Sequence, residues 1–309
     1  MTTPALLTTR PGLSDADLDL LLMIRHFELA LLDLFGRGEI AGTTHTCLGQ
    51  EHIPVALKPL LDEADYVFSN HRGHGHYLAR FGDPHGLLAE IMGRDGAVCH
   101  GVGGSQHILR DRFLTTGIQG QNVPVAAGVA LHLQRTEPRR LAVVHIGDGT
   151  WGEGAVYEGL NMAALWRLPL VVVVENNGIA QSTPTAAHLT GSIRGRVRGF
   201  GIDYEEVTGT DVTAIREQLA RPIARVRGRS GPLVVEFHTV RLGPHSKGDD
   251  TRDQRERDLM RTQDWFVRYA RTFPDRFAAA DRRQKALIER CVRDVAARPP
   301  AQRPHQGEK

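Results

Sequence analysis

The sequence lacks the features that define several common protein classes. Its three cysteines, Cys47, Cys99 and Cys291, are far apart and form no CxxC pair, which argues against a disulfide framework or a zinc cage and favours a reducing cytoplasm. No stretch approaches about 18 uncharged apolar residues, so we expect no membrane span. The first residues, MTTPALLTTRPGLS, lack a basic segment followed by an apolar one, so we expect no signal peptide.

Charge and phosphate-binding motifs are equally limited. The net charge is +2 and charged residues make up 24%, so no strong field indicates a nucleic-acid partner. No GxGxxG follows a predicted strand, which disfavours a Rossmann dinucleotide site, and the absence of GxxxxGKS or GxxxxGKT excludes P-loop nucleotide hydrolysis. The 309 residues suffice for one large α/β domain or two small domains.

The sequence does contain an alternation of helical and strand-like segments. A helix is predicted from its N-cap Ser14 to Gly36 or Gly38, because apolar residues recur at spacings of three and four. Residues 42–120 are rich in Gly and His and predict functional loops. The nearly all-apolar strands that follow predict an α/β fold with a buried, mostly parallel sheet. The later predicted elements are a helix at 124–135, a strand at 141–146, a helix at 153–166, strands at 168–175 and 203–207, a helix at 211–225, a strand at 232–240 and helical segments from 252.

Polar residues follow two of these strands at the point where each ends. The turn GDG (147–149) comes after LAVVHI, and ENNG (175–178) ends LPLVVVVE. One helix connects the strands, so both carboxyl ends lie on the same edge of the sheet, about 4.8 Å apart if the strands are neighbours. Asp148 and Asn177 offer the oxygen ligands that Mg²⁺ prefers, and the amides after Asp148 can face a phosphate. Taken alone, GDG is more typical of a turn whose Asp caps the next helix. The presence of ENNG at the end of the neighbouring strand favours a magnesium diphosphate site instead.

These two turns resemble the thiamine diphosphate motif, and the wider sequence resembles the α subunit of the decarboxylating component of 2-oxoacid dehydrogenases, the pyruvate, branched-chain and acetoin group. The resemblance covers about residues 20–260 and is carried, in order, by MIRHFELALLDLFGRGEIAGTTHTCLGQE, HRGHGHYLA, GGSQH, NMAALWRLP and RLGPHSKGDD. It implies a thiamine diphosphate-binding fold, a mostly parallel sheet flanked by helices, with thiamine diphosphate and Mg²⁺ as cofactors. We expect a single such domain over 1–295, with a helical N-terminal segment, and a disordered tail at 296–309.

The resemblance implies roles for ten residues. Asp148 and Asn177 would bind Mg²⁺ by their side chains, and Ile179 would bind it by its carbonyl oxygen. Arg72 would pair with a diphosphate oxygen, a contact that suits a guanidinium. The other implied contacts are backbone groups of Gly149 and Thr150 on the diphosphate, backbone groups of Gly117 and Gln119 on the aminopyrimidine, and His45 and His245 in the reaction chamber, where they would bind the substrate carboxylate or move protons.

Other interpretations are open for some residues. Taken alone, Arg72 fits a surface ion pair. His71, His74 and His76 do not make a metal site by spacing alone, and the last two are expected to shape the diphosphate loop. Ser246 lies where mitochondrial relatives are phosphorylated, but we expect an ordinary loop serine.

The resemblance also implies a partner. A chain of this length has room for the diphosphate domain only, so a β subunit should supply the second wall of the cofactor site and the Glu that activates the aminopyrimidine. The expected assembly is an α2β2 heterotetramer, and the chain alone should be inactive. The expected reaction is decarboxylation of a pyruvate-like 2-oxoacid, with transfer of the acyl unit to a lipoyl-bearing transferase or another carrier thiol.

Departures from the family pattern leave the substrate open. Relatives often carry a bulkier residue at Thr43, GKGGSMH in place of GVGGSQH, and YR in place of Val240-Arg241, while Trp151 directly after the cofactor turn is itself bulky. A more polar chamber favours, as an alternative, transketolase-like transfer of a hydroxyacetyl unit to a carrier protein. A non-catalytic binding subunit is a second alternative, and the intact magnesium and diphosphate residues argue against it.

Overall fold

The computed structural model describes residues 13–228, 230–246 and 250–302. Its strands are β1 (Tyr66–Ser69), β2 (Leu109–Arg110), β3 (Phe113–Thr115), β4 (Ala142–Gly147), β5 (Leu170–Asn176), β6 (Ile179–Ala180), β7 (Thr183–Pro184), β8 (Asp203–Val207) and β9 (Leu233–His238). Its α-helices are α1 (Asp15–Gly36), α2 (His52–Leu57), α3 (His74–Phe81), α4 (Pro84–Met92), α5 (Asn122–Thr136), α6 (Gly154–Leu165), α7 (Thr185–His188), α8 (Ile193–Gly199), α9 (Val212–Arg227), α10 (Gln254–Thr262), α11 (Trp265–Thr272) and α12 (Pro274–Ala296). Short 3-10 helices cover Lys58–Leu60 and Asp148–Gly152. Among the described helices, none has the length and apolar character needed to cross a membrane.

Seven strands form one sheet in the order β2-β3-β1-β4-β5-β9-β8. Every neighbouring pair of this sheet is parallel except β2 with β3. Strands β6 and β7 form a separate antiparallel pair. The predicted fold class, a mostly parallel sheet flanked by helices, is therefore confirmed.

Successive residues of the central strands belong to two different hydrophobic cores. In β4, Val143 packs in one core with α1, α3, α4, α9 and α12, whereas Val144 packs in the other with α5, α6 and α8. In β5, Val171 and Val172 divide in the same way. Because side chains alternate across a strand, helices on both faces can cover the sheet only if its central strands are apolar throughout. This explains why the two central strands read as continuous apolar runs.

Most of the helices and strands predicted after residue 120 are present in the structure, and so is the predicted first helix, α1. The hydroxyl of Ser14 accepts a hydrogen bond from Asp17 N–H at 3.1 Å, and α1 ends at Gly36. The prediction of loops over 42–120 was wrong in part, because this stretch contains β1 and three helices, α2 to α4. Every residue of α2 is buried, as are His74–Ala79 of α3. Tertiary burial thus stabilises helices that the Gly and His content disfavours.

The segment after α12 returns to the end of α4. The Ala301 N–H donates to the Gly93 carbonyl at 2.9 Å, and the Asp95 N–H donates to the Pro299 carbonyl at 2.9 Å. These bonds attach residues 299–301 to the body of the fold. Residues 303–309 of the expected tail lie outside the described residues.

Candidate active site

The two polar turns lie side by side at one edge of the sheet. Strands β4 and β5 are direct parallel neighbours, with Gly147 opposite Glu175 in the register, so the predicted adjacency of the strands is confirmed. Asp148 opens the 3-10 helix after β4 and is 1% exposed. Its Oδ1 accepts a hydrogen bond from the Asn177 N–H at 3.4 Å. The Asp148 carboxylate therefore lies directly against the backbone of the turn that carries Asn177.

Asp148 does not act as a helix cap. Helix α6 begins at Gly154 without a side-chain cap, and the second carboxylate oxygen of Asp148 accepts a hydrogen bond from the Thr185 hydroxyl. Asn177 Oδ1 accepts from the Ile179 N–H at 3.3 Å, which closes a local Asn turn. Each of these oxygens has a further lone pair for a cation. The capping alternative is therefore wrong.

A cavity of about 290 Å³ opens at this edge. Eight of the ten predicted residues line it: Arg72, Gln119, Asp148, Gly149, Thr150, Asn177, Ile179 and His245. The wall also includes Gln50, Asn70 and Glu175, which the sequence analysis missed. Asn70 directly follows β1 and Glu175 belongs to the end of β5. The strand-edge argument would have found Asn70 if the short strand β1 had been recognised.

Arg72 brings a buried positive charge to the cavity. It is 3% exposed, and its Nη1 donates to the Thr46 carbonyl at 2.8 Å. Within the described part of the chain, no carboxylate forms an ion pair with it. Burial, reinforced by the neighbouring Arg241, lowers the pKa of Arg72 to about 10. The alternative of a surface ion pair is therefore wrong, and a buried positive charge without an ion-pair partner among the described residues suits an anionic ligand.

Two histidines line the cavity and a third packs against them. The ring centroid of His45 lies 4.7 Å from that of His71 and 4.6 Å from that of His245. Arg72 Nη2 donates to His245 Nδ1 at 3.2 Å. Burial, followed by the charge of Arg72, lowers the pKa of His71 well below its usual value. Both histidines predicted for the reaction chamber thus meet at the site, His245 in its wall and His45 through ring contacts.

Gln119 reaches the site with its side chain. Its Nε2 lies 2.8 Å from His71 Nδ1 and donates to the Gly117 carbonyl at 3.2 Å. Its Oε1 accepts from the Thr150 hydroxyl at 3.2 Å. This network ties residues 117–119 to the turn after β4. Gly117 takes part through its carbonyl, although the cavity wall itself does not include it.

Residues 20–298 match the family described as the dehydrogenase E1 component. The chain belongs to this family. It is 36% identical over 290 residues to the α subunit of acetoin:2,6-dichlorophenolindophenol oxidoreductase from Cupriavidus necator, which covers 89% of this chain and 87% of that one. It is 39% identical over 239 residues to the pyruvate dehydrogenase E1 component α subunit of Zymomonas mobilis, a match that covers 75% of this chain and 67% of that one. It is 34% identical over 284 residues to the corresponding subunit of Rhizobium meliloti, a match that covers 90% of this chain and 81% of that one.

These relatives confirm the resemblance seen in the sequence. Membership of the E1 family implies thiamine diphosphate as cofactor, and relatives named as α subunits imply a partner β subunit. Among solved structures, this E1 chain is similar to a transketolase mutant from Pichia stipitis in complex with xylulose 5-phosphate, with a TM-score of 0.55 and 18% identity. The similarity covers 88% of this chain and 49% of that chain, about half of its length. At this identity it shows the fold alone.

The E1 chain carries a further buried cluster against this cavity. Glu175 Oε1 lies 2.7 Å from His76 Nε2 and 3.3 Å from His145 Nδ1. Burial raises the pKa of the Glu175 carboxyl, but the two imidazoles together hold it below its usual range. Burial, followed by the neighbouring His76, lowers the pKa of His145 to about 4. No pattern in the sequence had singled out Glu175 or His145.

The three histidines of HRGHGH lie in three different environments. His71 lines the cavity described above, and His74 Nδ1 lies 3.1 Å from Glu28 Oε2 inside the fold. His76 joins Glu175. The three side chains therefore do not converge on one metal ion.

Proposed function

We propose that this chain is the α subunit of a thiamine diphosphate-dependent 2-oxoacid dehydrogenase. It acts in the cytoplasm on a pyruvate-like 2-oxoacid, in an α2β2 heterotetramer, and passes the acyl unit to a lipoyl group or another carrier thiol. The curated relatives support this proposal, since they are named as α subunits of pyruvate dehydrogenase and of an acetoin oxidoreductase. The two alternatives, hydroxyacetyl transfer and a non-catalytic subunit, are not favoured by these relatives.

One observation carries the proposal. Asp148 Oδ1 lies 3.4 Å from the Asn177 backbone nitrogen, at the edge where a cavity of about 290 Å³ opens. A carboxylate and a carboxamide from neighbouring strand ends, with the Ile179 carbonyl, form an all-oxygen set of the kind that Mg²⁺ selects. We infer that these three groups bind Mg²⁺ and leave its other positions to diphosphate and water.

Backbone geometry supports the diphosphate position. A Cβ atom added at Gly149 would lie 2.6 Å from the Cβ of Ala180, so only glycine fits this close approach. The amides of Gly149 and Thr150 lie in the first turn of the 3-10 helix, where backbone N–H groups have no helical partners and suit a phosphate. Arg72 would add a charge-assisted contact. The buried guanidinium and Mg²⁺ would together offset the diphosphate charge.

The histidines suit the substrate end of the cavity. Because His245 Nδ1 accepts from Arg72, the proton of a neutral His245 ring is on Nε2, which can donate to a substrate carboxylate. His45 packs against this ring and orients it. When bound, thiamine diphosphate would supply the carbon nucleophile and electron sink for decarboxylation. The protein groups bind, orient and hold protons around it.

The proposal is tested by co-expressing the chain with its β subunit. Calorimetry should show Mg²⁺-dependent binding of thiamine diphosphate, and a 2-oxoacid should reduce an artificial electron acceptor. The α chain alone should give no turnover. Turnover with ketoses but no 2-oxoacid would instead support hydroxyacetyl transfer, and cofactor binding without turnover on 2-oxoacids, acetoin or ketoses would support a binding subunit.

A further inference from the structure

Three buried side chains of metal-ligating type meet between β1, β4 and β5. His76 comes from α3, His145 from β4 and Glu175 from β5. Their exposed fractions are 5%, 3% and 3%, respectively. One ligand atom from each side chain lies within 4.8 Å of the other two. Two imidazoles and a carboxylate are a donor set that zinc and its neighbours in the first transition row bind well.

The distances fit a tetrahedral ion. Zinc bonds to nitrogen and oxygen of about 2.0–2.1 Å place neighbouring ligand atoms about 3.3 Å apart. Here Glu175 Oε1 lies 2.7 Å from His76 Nε2 and 3.3 Å from His145 Nδ1. The third separation is at most 4.8 Å. The three values bracket the expected edge. The His76 and His145 ring centroids lie 3.8 Å apart, whereas two imidazoles on one tetrahedral ion have centroids roughly 5 Å apart, so the two rings must turn away from each other when the ion binds.

Two neighbouring polar groups orient the ligand atoms. Ser69 Oγ lies 2.7 Å from His76 Nδ1, and Asn70 Nδ2 donates to Glu175 Oε2 at 3.3 Å. With the other ring nitrogen and the other carboxylate oxygen held in this way, His76 Nε2 and Glu175 Oε1 face the shared point. Such outer partners are a regular feature of protein metal sites and adjust both geometry and affinity.

A second cavity gives access to the cluster. Its volume is about 430 Å³, and both His76 and His145 belong to its wall. Glu175, by contrast, belongs to the wall of the cofactor cavity. A metal ion could therefore enter from the side of the second cavity and keep a water molecule as its fourth ligand, as metal sites with three protein ligands do.

We propose that His76, His145 and Glu175 bind one divalent transition metal of the zinc class. This site differs from the oxygen-only site at Asp148 and Asn177, because imidazole ligands favour transition metals over Mg²⁺. The proposal goes beyond the function proposed above and holds whether or not the chain binds thiamine diphosphate.

The test uses the full chain co-expressed with its β subunit, stripped by a chelator and dialysed against Co²⁺ or Zn²⁺ in excess Mg²⁺ without thiamine diphosphate. We expect one tightly held metal per α chain and visible Co²⁺ absorption of a low-coordinate nitrogen and oxygen site, displaced by Zn²⁺. His145→Phe and Glu175→Gln should each weaken metal binding at least 100-fold. Ser69→Ala should weaken it about 10-fold or more, since it removes only an outer partner.

Two variants serve as controls. Asp148→Asn removes the proposed Mg²⁺ ligand and should retain the Co²⁺ spectrum. His132→Gln removes an exposed histidine of α5 that is not part of the cluster, and it should retain the spectrum as well. Circular dichroism melting checks that each variant is folded. The proposal is overturned if the wild-type complex retains no metal, if Co²⁺ shows the spectrum of an octahedral oxygen site, or if folded His145→Phe and Glu175→Gln bind as well as wild type. If those two variants do not fold, an unchanged affinity in Ser69→Ala overturns it.

Discussion

The Thr185 hydroxyl donates a hydrogen bond to Oδ2 of Asp148. The other carboxylate oxygen, Oδ1, accepts from the Asn177 N–H. Both bonds come from the stretch that follows β5, so the segment carrying the second candidate Mg²⁺ ligand also fixes the orientation of the first. A carboxylate held at both oxygens is pre-organised for a cation, which lowers the entropic cost of binding it.

The first prediction separates a ligand from its support. Asp148→Asn should weaken Mg²⁺-dependent binding of thiamine diphosphate at least 100-fold, because it removes the anionic oxygen. Thr185→Val should weaken it about 10- to 100-fold, since it only releases the orientation of Asp148. Calorimetry on the complex with the β subunit measures both. The control is Thr272→Val, an exposed helix position that should leave affinity unchanged; equal losses in Asp148→Asn and the control would disprove the assignment.

The second prediction compares two buried arginines. Arg25 binds Glu51 at 2.6 Å and Asp264 at 2.8 Å, so Arg25→Met leaves buried carboxylates uncompensated and should cost roughly 3–5 kcal/mol of stability. Arg72→Met removes a buried charge without a carboxylate partner among the described residues, so the unliganded chain should lose much less. Its cofactor affinity should nevertheless fall about 10- to 100-fold.

Urea unfolding and calorimetry decide between these two roles. A loss of stability in unliganded Arg72→Met as large as that in Arg25→Met would show that Arg72 is a structural residue. The opposite result, a stable Arg72→Met with normal affinity, would remove Arg72 from the cofactor site.

The third prediction concerns a close backbone approach. Gly149→Ala places a Cβ 2.6 Å from that of Ala180, and the required shift should cost about 1–3 kcal/mol and move the two amides that would face the diphosphate. Gly152→Ala is the matched control, because a Cβ there meets nothing within 4 Å. Thermal unfolding with and without thiamine diphosphate should separate the two variants; indistinguishable behaviour would mean that the turn relaxes freely.

The fourth prediction is a pH dependence of stability. Burial lowers the pKa of His52 to about 4, from a usual 6.5. The unfolded chain therefore binds a proton more readily than the folded chain, and stability falls as the pH drops from about 6.5 toward 4. In wild type, the protonation of His52 on unfolding should lower the free energy of unfolding by about 2 kcal/mol between pH 7 and pH 5.

His52→Leu removes this pH-dependent loss. The free energy of unfolding of the variant, relative to that of wild type, should therefore be about 2 kcal/mol higher at pH 5 than at pH 7. Urea unfolding of both proteins at the two pH values measures the difference. The control is His132→Gln, an exposed histidine that should not change the pH dependence of stability. An identical pH dependence in wild type and His52→Leu would show that His52 titrates normally in the folded chain.

Local sequence patterns predicted the central part of the fold well. The apolar runs of β4 and β5 and the helix between them require a βαβ unit, and the parallel direction of its strands places Asp148 and Asn177 on one edge. The short strand β1 was missed, because four residues directly before the Gly- and His-rich segment at 70–76 are too few to show a period of their own. Because β1 was missed, Asn70, which follows it and lines the cavity, was missed as well. The sequence also could not say that Arg72 lacks a carboxylate partner among the described residues, since this depends on every element packed around it.

The amino-acid sequence by itself determined that a βαβ unit exists and that a carboxylate and a carboxamide follow its two strands, because these properties depend on periodicity and chain connectivity. The tertiary structure alone decided that β1 pairs with β4, and that His76, His145 and Glu175 meet beside the cavity at Asp148 and Asn177. Strand order follows from which faces are buried together across the whole molecule, and no local propensity encodes it.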